Sequence, residues 1–190
     1  MLTIAWDVDD VLNDLMREWL TKKWLPEHPQ SKLSFEEITG NSPERLLGAS
    51  LKEYQDSLDE FRLSGAYEKM MPVPEVLAWF NEHGDKALHL VLTAVPLKAA
   101  HISAAWVMRY FGKWIRSFNF VPSTRKGENL PDYPKSKLEC LKQFSKIDVF
   151  VEDTEANVHG AESLGVRPFV VRKPWNKSKL SIKDILAKLR

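Results

Sequence analysis

Two kinds of apolar pattern alternate along this chain. Leu2-Thr3-Ile4-Ala5-Trp6 is a short apolar run that reads as a buried strand, and Ala87-Leu88-His89-Leu90-Val91-Leu92-Thr93 is a longer one. Residues 118–121, Val149-Phe150-Val151 and residues 168–171 supply three further short runs. Between them apolar side chains recur at helical spacing. Leu12, Leu15, Met16, Trp19, Leu20 and Trp24 mark one face over residues 11–25, and Leu51, Tyr54, Leu58 and Phe61 mark another over 51–63. The same spacing predicts helices over 74–83, 97–111, 136–144, 156–164 and 181–189. Pro26 and Pro29 stop the first helix, and Gly84, Gly112 and Gly165 sit where others should end. Ser42-Pro43-Glu44 reads as a cap followed by a first-turn proline, opening a short helix through residue 47.

From residue 74 onward strand and helix alternate, which predicts a parallel sheet with helices on both faces. The expected fold is a Rossmann-like α/β three-layer sandwich. Residues between the first strand and residue 71 contain no convincing strand, so a small helical cap over 15–71 is expected to interrupt a core of 1–14 and 72–190. No internal repeat or low-complexity segment is visible.

In parallel α/β folds ligands bind beyond the carboxyl ends of the strands. The polar residues that end these runs are Asp7 and Asp9, Thr93, and Glu152 with Asp153. Asp7-Val8-Asp9-Asp10 packs three carboxylates into four positions directly after an apolar strand. Such groups repel one another, and a hard divalent cation such as Mg²⁺ is the usual reason to gather them. If the chain stays extended, Asp7 and Asp9 share a face and Asp10 points away. An Asp-rich turn capping the next helix is the plainer alternative.

Composition narrows the partners. Hydrophobic residues at 44% and charged residues at 28% suit a soluble globular protein, and 190 residues suffice for a full core. A net charge of +1 gives no footprint for a long nucleic acid, and no apolar run reaches membrane-spanning length. The single cysteine, Cys140, reads as a packed helix position; it excludes disulfides within the chain and points to a reducing, cytoplasmic location.

Taken in order, Asp7-Val8-Asp9-Asp10-Val11, Thr93 after Leu90-Val91-Leu92, a following lysine, and Glu152-Asp153-Thr154-Glu155-Ala156-Asn157 resemble the four motifs of the haloacid-dehalogenase-like hydrolases. The resemblance covers nearly the whole chain. It implies a phosphate-transfer site in which Asp7 is the nucleophile, forming an aspartyl-phosphate, and Asp9 is the general acid and base. It also implies Mg²⁺ held by the Asp7 carboxylate, the Asp9 backbone carbonyl and Asp153, with Thr93 and Ala94 binding phosphate and Asn157 orienting the cation's surroundings. Glu152 stands where an aspartate or glycine is common, as a direct or indirect partner of the cation. Lys137 matches the third motif best, with Lys135 and Lys126 as alternatives in the same region.

Within that superfamily the chain is most similar to the 5'(3')-deoxyribonucleotidases. The similarity lies in Thr93-Ala94-Val95-Pro96-Leu97-Lys98, in Trp106-Val107 and Tyr110-Phe111-Gly112, and in the spacing of Asp153 and Asn157. Asp10 replaces their glycine, and residues 123–134 form a longer loop. The resemblance implies a nucleoside monophosphate as substrate, with a sugar phosphate or other small phosphomonoester as the alternative. A catalytically silent binding module is a further alternative, and the intact Asp7, Asp9, Thr93 and Asp153 speak against it. A phospho-acceptor receiver fails on the position of its acceptor and on the cap. The cap aromatics Trp19, Trp24, Phe35, Tyr54, Phe61 and Tyr67 sit mostly at helical spacing, so packing within the cap is expected for most and base stacking for one or two at best.

Overall fold

The structure is a computed structural model that describes residues 1–189 apart from 124, 126 and 127. Its centre is a five-stranded parallel sheet in the order β3-β2-β1-β4-β5, with β1 Leu2–Trp6, β2 Ala87–Val95, β3 Ile115–Pro122, β4 Val149–Glu152 and β5 Arg167–Val170. β1 pairs with β2 from Leu2↔Ala87 to Trp6↔Val91, and with β4 from Ile4↔Val149 to Trp6↔Val151. The order of the strands reverses at β1, which places the crevice for a ligand at the carboxyl ends of β1, β2 and β4.

Alternation along the central strands explains why both faces are covered. Ile4 and Trp6, Val91, and Val149 and Val151 enter one apolar cluster, while Ala5, Leu90 and Leu92, and Phe150 enter the other. The first cluster is the larger and runs without a break into residues 15–71, where Trp19, Trp24, Tyr54, Phe61 and Tyr67 are buried. These aromatic side chains thus belong to the same apolar cluster as one face of the sheet.

In chain order the helices are α1 Leu15–Trp19, α2 Glu44–Leu47, α3 Leu51–Arg62, α4 Gly65–Glu68, α5 Pro74–His83, α6 Leu97–Phe111, α7 Lys137–Leu141, α8 Glu155–Val158 and α9 Ile182–Lys188. α1 continues through a wider π turn at Leu20–Trp24 and a last turn at Leu25–Glu27. Serine side chains cap four of the others. Ser50, Ser64, Ser136 and Ser181 each accept a first-turn amide at the start of α3, α4, α7 and α9.

Several boundaries differ from the sequence reading. α1 starts at Leu15 rather than near residue 11, because Val8 to Asn13 coil into a turn in which the Val8 carbonyl accepts the amides of Val11, Leu12 and Asn13. The helix expected over 156–164 breaks after Val158, where Gly160 takes φ 86°, and resumes as a 3₁₀ turn at Ala161–Leu164. Pro43, not Ser42, occupies the capping position of α2. β3 is longer than the four residues expected, and α4 was not foreseen. Among the described residues no strand falls between Trp6 and Ala87, and no helix is long and apolar enough to cross a membrane.

Candidate active site

The Asp7 amide donates to the Val151 carbonyl at 2.9 Å, so the chain leaves β1 beside the end of β4. Asp10 then takes φ 62°, in the left-handed region. The chain is no longer extended, and Asp10 does not point away as its parity suggests. It is buried and lines the same cleft as Asp7 and Asp9, with its Oδ1 accepting the Met16 amide at 3.1 Å.

Lys137 lies at the first turn of α7, itself 2% exposed. Its Nζ is 2.8 Å from Asp7 Oδ2 and 2.6 Å from Glu152 Oε2. Of the three lysines raised by the sequence, Lys137 therefore reaches the carboxylates. Lys135 is exposed, and Lys126 lies outside the described residues. Asn157 donates to Glu152 Oε1 at 3.1 Å, and the Thr154 amide donates to the same oxygen at 3.2 Å. Trp175 Nε1 donates to Asp153 Oδ2 at 2.8 Å, and Asn176 holds the Asp153 carbonyl at 2.6 Å. Thr93 is buried, while Ala94, one residue on, lines the cleft.

Asp7, Glu152 and Asp153 offer carboxylate oxygens that all lie within 4.8 Å of one another. Burial and the Glu152 charge push Asp7 up to about 7, against the pull of Lys137 and Thr93. Burial and Asp153 likewise raise Glu152 to about 7 against Lys137, and burial with the Asp7 and Asp10 charges raises Asp153 to about 6. Burial alone would lower Lys137, but Asp7 and Glu152 outweigh it and hold the ammonium charged. Three buried carboxylates against one ammonium leave negative charge that a hard divalent cation balances, and oxygen donors of this kind suit Mg²⁺. The residues fit such an ion. Glu152 is part of this cluster, whereas the Asp9 side chain bonds other partners.

Asp9 is engaged from α3 and α4. Arg62, at the end of α3, places Nε at 3.2 Å and Nη2 at 3.0 Å from Asp9 Oδ2. Tyr67 of α4 donates to Asp9 Oδ1 at 3.2 Å, and Asn13 donates to the same oxygen at 3.1 Å. On the same face of α3, Asp59 is 1% exposed and accepts Arg125 Nη2 at 2.7 Å and Nε at 2.8 Å, Arg62 Nη1 at 3.3 Å and Lys98 at 3.3 Å. The cleft so formed is about 210 Å³, lined by Asp7, Asp9, Arg62, Arg125 and Lys137, with Met16, Tyr54 and Leu58 in its apolar wall. Arg62, Asp59, Arg125 and Trp175 were not singled out from the sequence. An acid and a base three residues apart on a helix ordinarily form a solvated pair, and nothing local marks Asp59 and Arg62 as buried.

The fold is that of the haloacid-dehalogenase-like hydrolases. Superposition covers 100% of the chain and 99% of a haloacid dehalogenase-like hydrolase from Streptococcus pneumoniae, at 10% identity and a TM-score of 0.66. A protein from Clostridium acetobutylicum described as a predicted phosphatase is similar over 99% of this chain and 97% of its own, at 14% identity and a TM-score of 0.65. A family IA hydrolase of the same kind from Entamoeba histolytica matches over 98% and 89%, at 16% identity and a TM-score of 0.55. No family model and no curated protein matches the sequence.

Proposed function

We propose that the chain is a Mg²⁺-dependent phosphomonoesterase working through an aspartyl-phosphate at Asp7, with 15–71 acting as a cap over a core of 1–14 and 72–190. The observation that carries this is the buried Lys137, which pairs with both Asp7 and Glu152 at the meeting point of β1 and β4, in the cleft that Asp9 also lines. Lys137 favours the anionic form of Asp7 against the burial that raises it, and would meet a phosphoryl oxygen. Asp7 would attack phosphorus, the ester P–O bond would break, and the leaving oxygen would take its proton from Asp9. Water then attacks the same phosphorus, gives a proton to Asp9, and the Asp7–phosphorus bond breaks to restore the carboxylate. Mg²⁺, held by Asp7 and Asp153 with Glu152 beside them and the Asp9 carbonyl as a further donor, would supply charge neutralisation between carboxylates and phosphate. Thr93 and Ala94 flank the phosphate position, and Asn157 fixes Glu152.

For the substrate, the stretch from Thr93 to Gly112 supports a (deoxy)nucleoside monophosphate acted on in the cytoplasm. A specific observation favours a second reading. The cleft is small and mostly polar, and of the cap aromatics Tyr54 alone lines it, itself only 5% exposed. A sugar phosphate or another compact ester fits that space with less rearrangement of the cap. Phosphate release from a panel of nucleoside monophosphates and small phosphoesters, with Mg²⁺ and with chelator, tests both. Mg²⁺-dependent release is expected; none from any ester by folded protein would favour a binding module instead.

A further inference from the structure

We propose that Arg62 and Tyr67, both carried by the cap, are positioning residues for Asp9, so that the catalytic floor is complete only with α3 and α4 seated on it. This rests on the phosphomonoesterase reading above. Asp9 follows β1 by three residues in a turn, and within the core Asn13 is the side chain that holds it. The cap contributes the rest: the Arg62 guanidinium grips Oδ2 through two nitrogens, and Tyr67 reaches Oδ1.

The Arg62 fork is itself aimed. Its third nitrogen bonds Asp59 one helical turn back, and Asp59 is clamped to the core by Arg125 from the loop after β3 and by Lys98 at the start of α6. Asp59 and Arg62 thus dock one helix face on two different parts of the core. A guanidinium held at three points has little rotational freedom, and it transmits that rigidity to the carboxylate it bonds. Tyr67 has a second partner, Ser103 Oγ at 3.3 Å, so its hydroxyl stays anchored when its bond to Asp9 lengthens. None of these groups hydrogen-bonds a side chain of the Lys137 cluster among the described residues.

The consequence concerns one step. A positioned acid matters when the leaving oxygen is a poor leaving group and hardly at all when it is a good one. The test compares kcat/KM for n-propyl phosphate and for p-nitrophenyl phosphate, with Mg²⁺, in wild type, Arg62→Lys and Tyr67→Phe. Lysine keeps the charge and loses the fork; phenylalanine keeps the ring and loses one hydrogen bond, and circular dichroism checks that both fold. For the alkyl ester we expect a fall of roughly 10²-fold in Arg62→Lys and roughly 10-fold in Tyr67→Phe. For p-nitrophenyl phosphate both variants should stay within about 3-fold of wild type, against that 10²-fold scale for acid catalysis. Equal losses on the two esters, or no loss on either, would overturn the positioning role while leaving the phosphatase intact. A wild type that releases phosphate from neither ester would overturn the phosphatase reading, and this inference with it.

Discussion

Lys137 reaches Asp7 across the cleft floor, Nζ to Oδ2 at 2.8 Å, from a helix that begins 130 positions later in the chain; the same Nζ holds Glu152 at 2.6 Å. All three side chains are buried, so each depends on the others for its charge. Replacing Lys137 by Met keeps the volume of the stem and removes the ammonium. The expected cost is about 3 kcal/mol at pH 8, the usual penalty for stranding a buried partner, partly relieved by protonation of the carboxyls. Urea unfolding of the two proteins at pH 8 measures it. An unchanged midpoint would mean that water, not Lys137, carries these charges.

The acidic cluster makes the effect of Mg²⁺ depend on pH. Asp7 and Glu152 titrate at about 7 and Asp153 at about 6 in the folded chain, against roughly 4 in an unfolded one. Between about pH 4 and pH 7 the folded state therefore holds more protons, and the stability these groups contribute falls as pH rises through that window. A bound cation takes the place of those protons. The rise in Tm caused by saturating Mg²⁺ over chelator should be larger at pH 8 than at pH 5. Equal shifts at the two values would show that the ion binds elsewhere.

Asp10 combines a left-handed backbone with a buried carboxyl that burial, and the neighbouring Asp9 charge, raise to about 7 against the pull of Lys173. Asparagine tolerates the same backbone and keeps an oxygen for the Met16 amide. It cannot ionise. Asp10→Asn should stabilise the fold more at pH 8 than at pH 5, because the folded chain holds the Asp10 proton up to about 7 while an unfolded aspartate gives it up at roughly 4. Denaturant midpoints at both values check the sign, and a variant less stable at pH 8 would contradict it.

Trp175 holds Asp153 by one hydrogen bond and packs edge-on against Phe35. Partners that orient a metal ligand are typically worth 10- to 100-fold in affinity. Trp175→Phe keeps the ring contact and loses the bond, so half-saturation by Mg²⁺ should rise by about 10-fold. Titration of activity with Mg²⁺ reads this directly; an unchanged midpoint would place the ion away from Asp153.

Much of this arrangement was legible in the sequence, and the exceptions have separate causes. β1, β2 and β4 announce themselves because both of their faces are largely buried, which leaves continuous apolar runs leading to Asp7, Thr93 and Glu152. Lys137 stands out from Lys135 because Ser136 caps the helix between them, turning one lysine inward and the other out. Asp10 misled because strand parity stops at Asp7, where the turn after β1 begins. Asp59, Arg62 and Arg125 were invisible because their importance is relational. Each is an ordinary surface residue by type, and only the seating of α3 over the loop after β3 brings them together out of water. The split after Val158 has a local sign, Gly160, that a periodic apolar pattern overrode.

Whether Asp7 carries the phosphoryl group is decided by quenching turnover with acid and mapping phosphate on the protein by mass spectrometry. Asp9→Asn, which slows breakdown of the intermediate, is the variant to load, using an activated ester such as p-nitrophenyl phosphate with Mg²⁺. One phosphoryl group on the peptide containing Asp7, absent from Asp7→Asn, is the predicted result, together with loss of phosphate release in Asp7→Asn and an unchanged circular dichroism spectrum. Undiminished phosphate release by Asp7→Asn would contradict it.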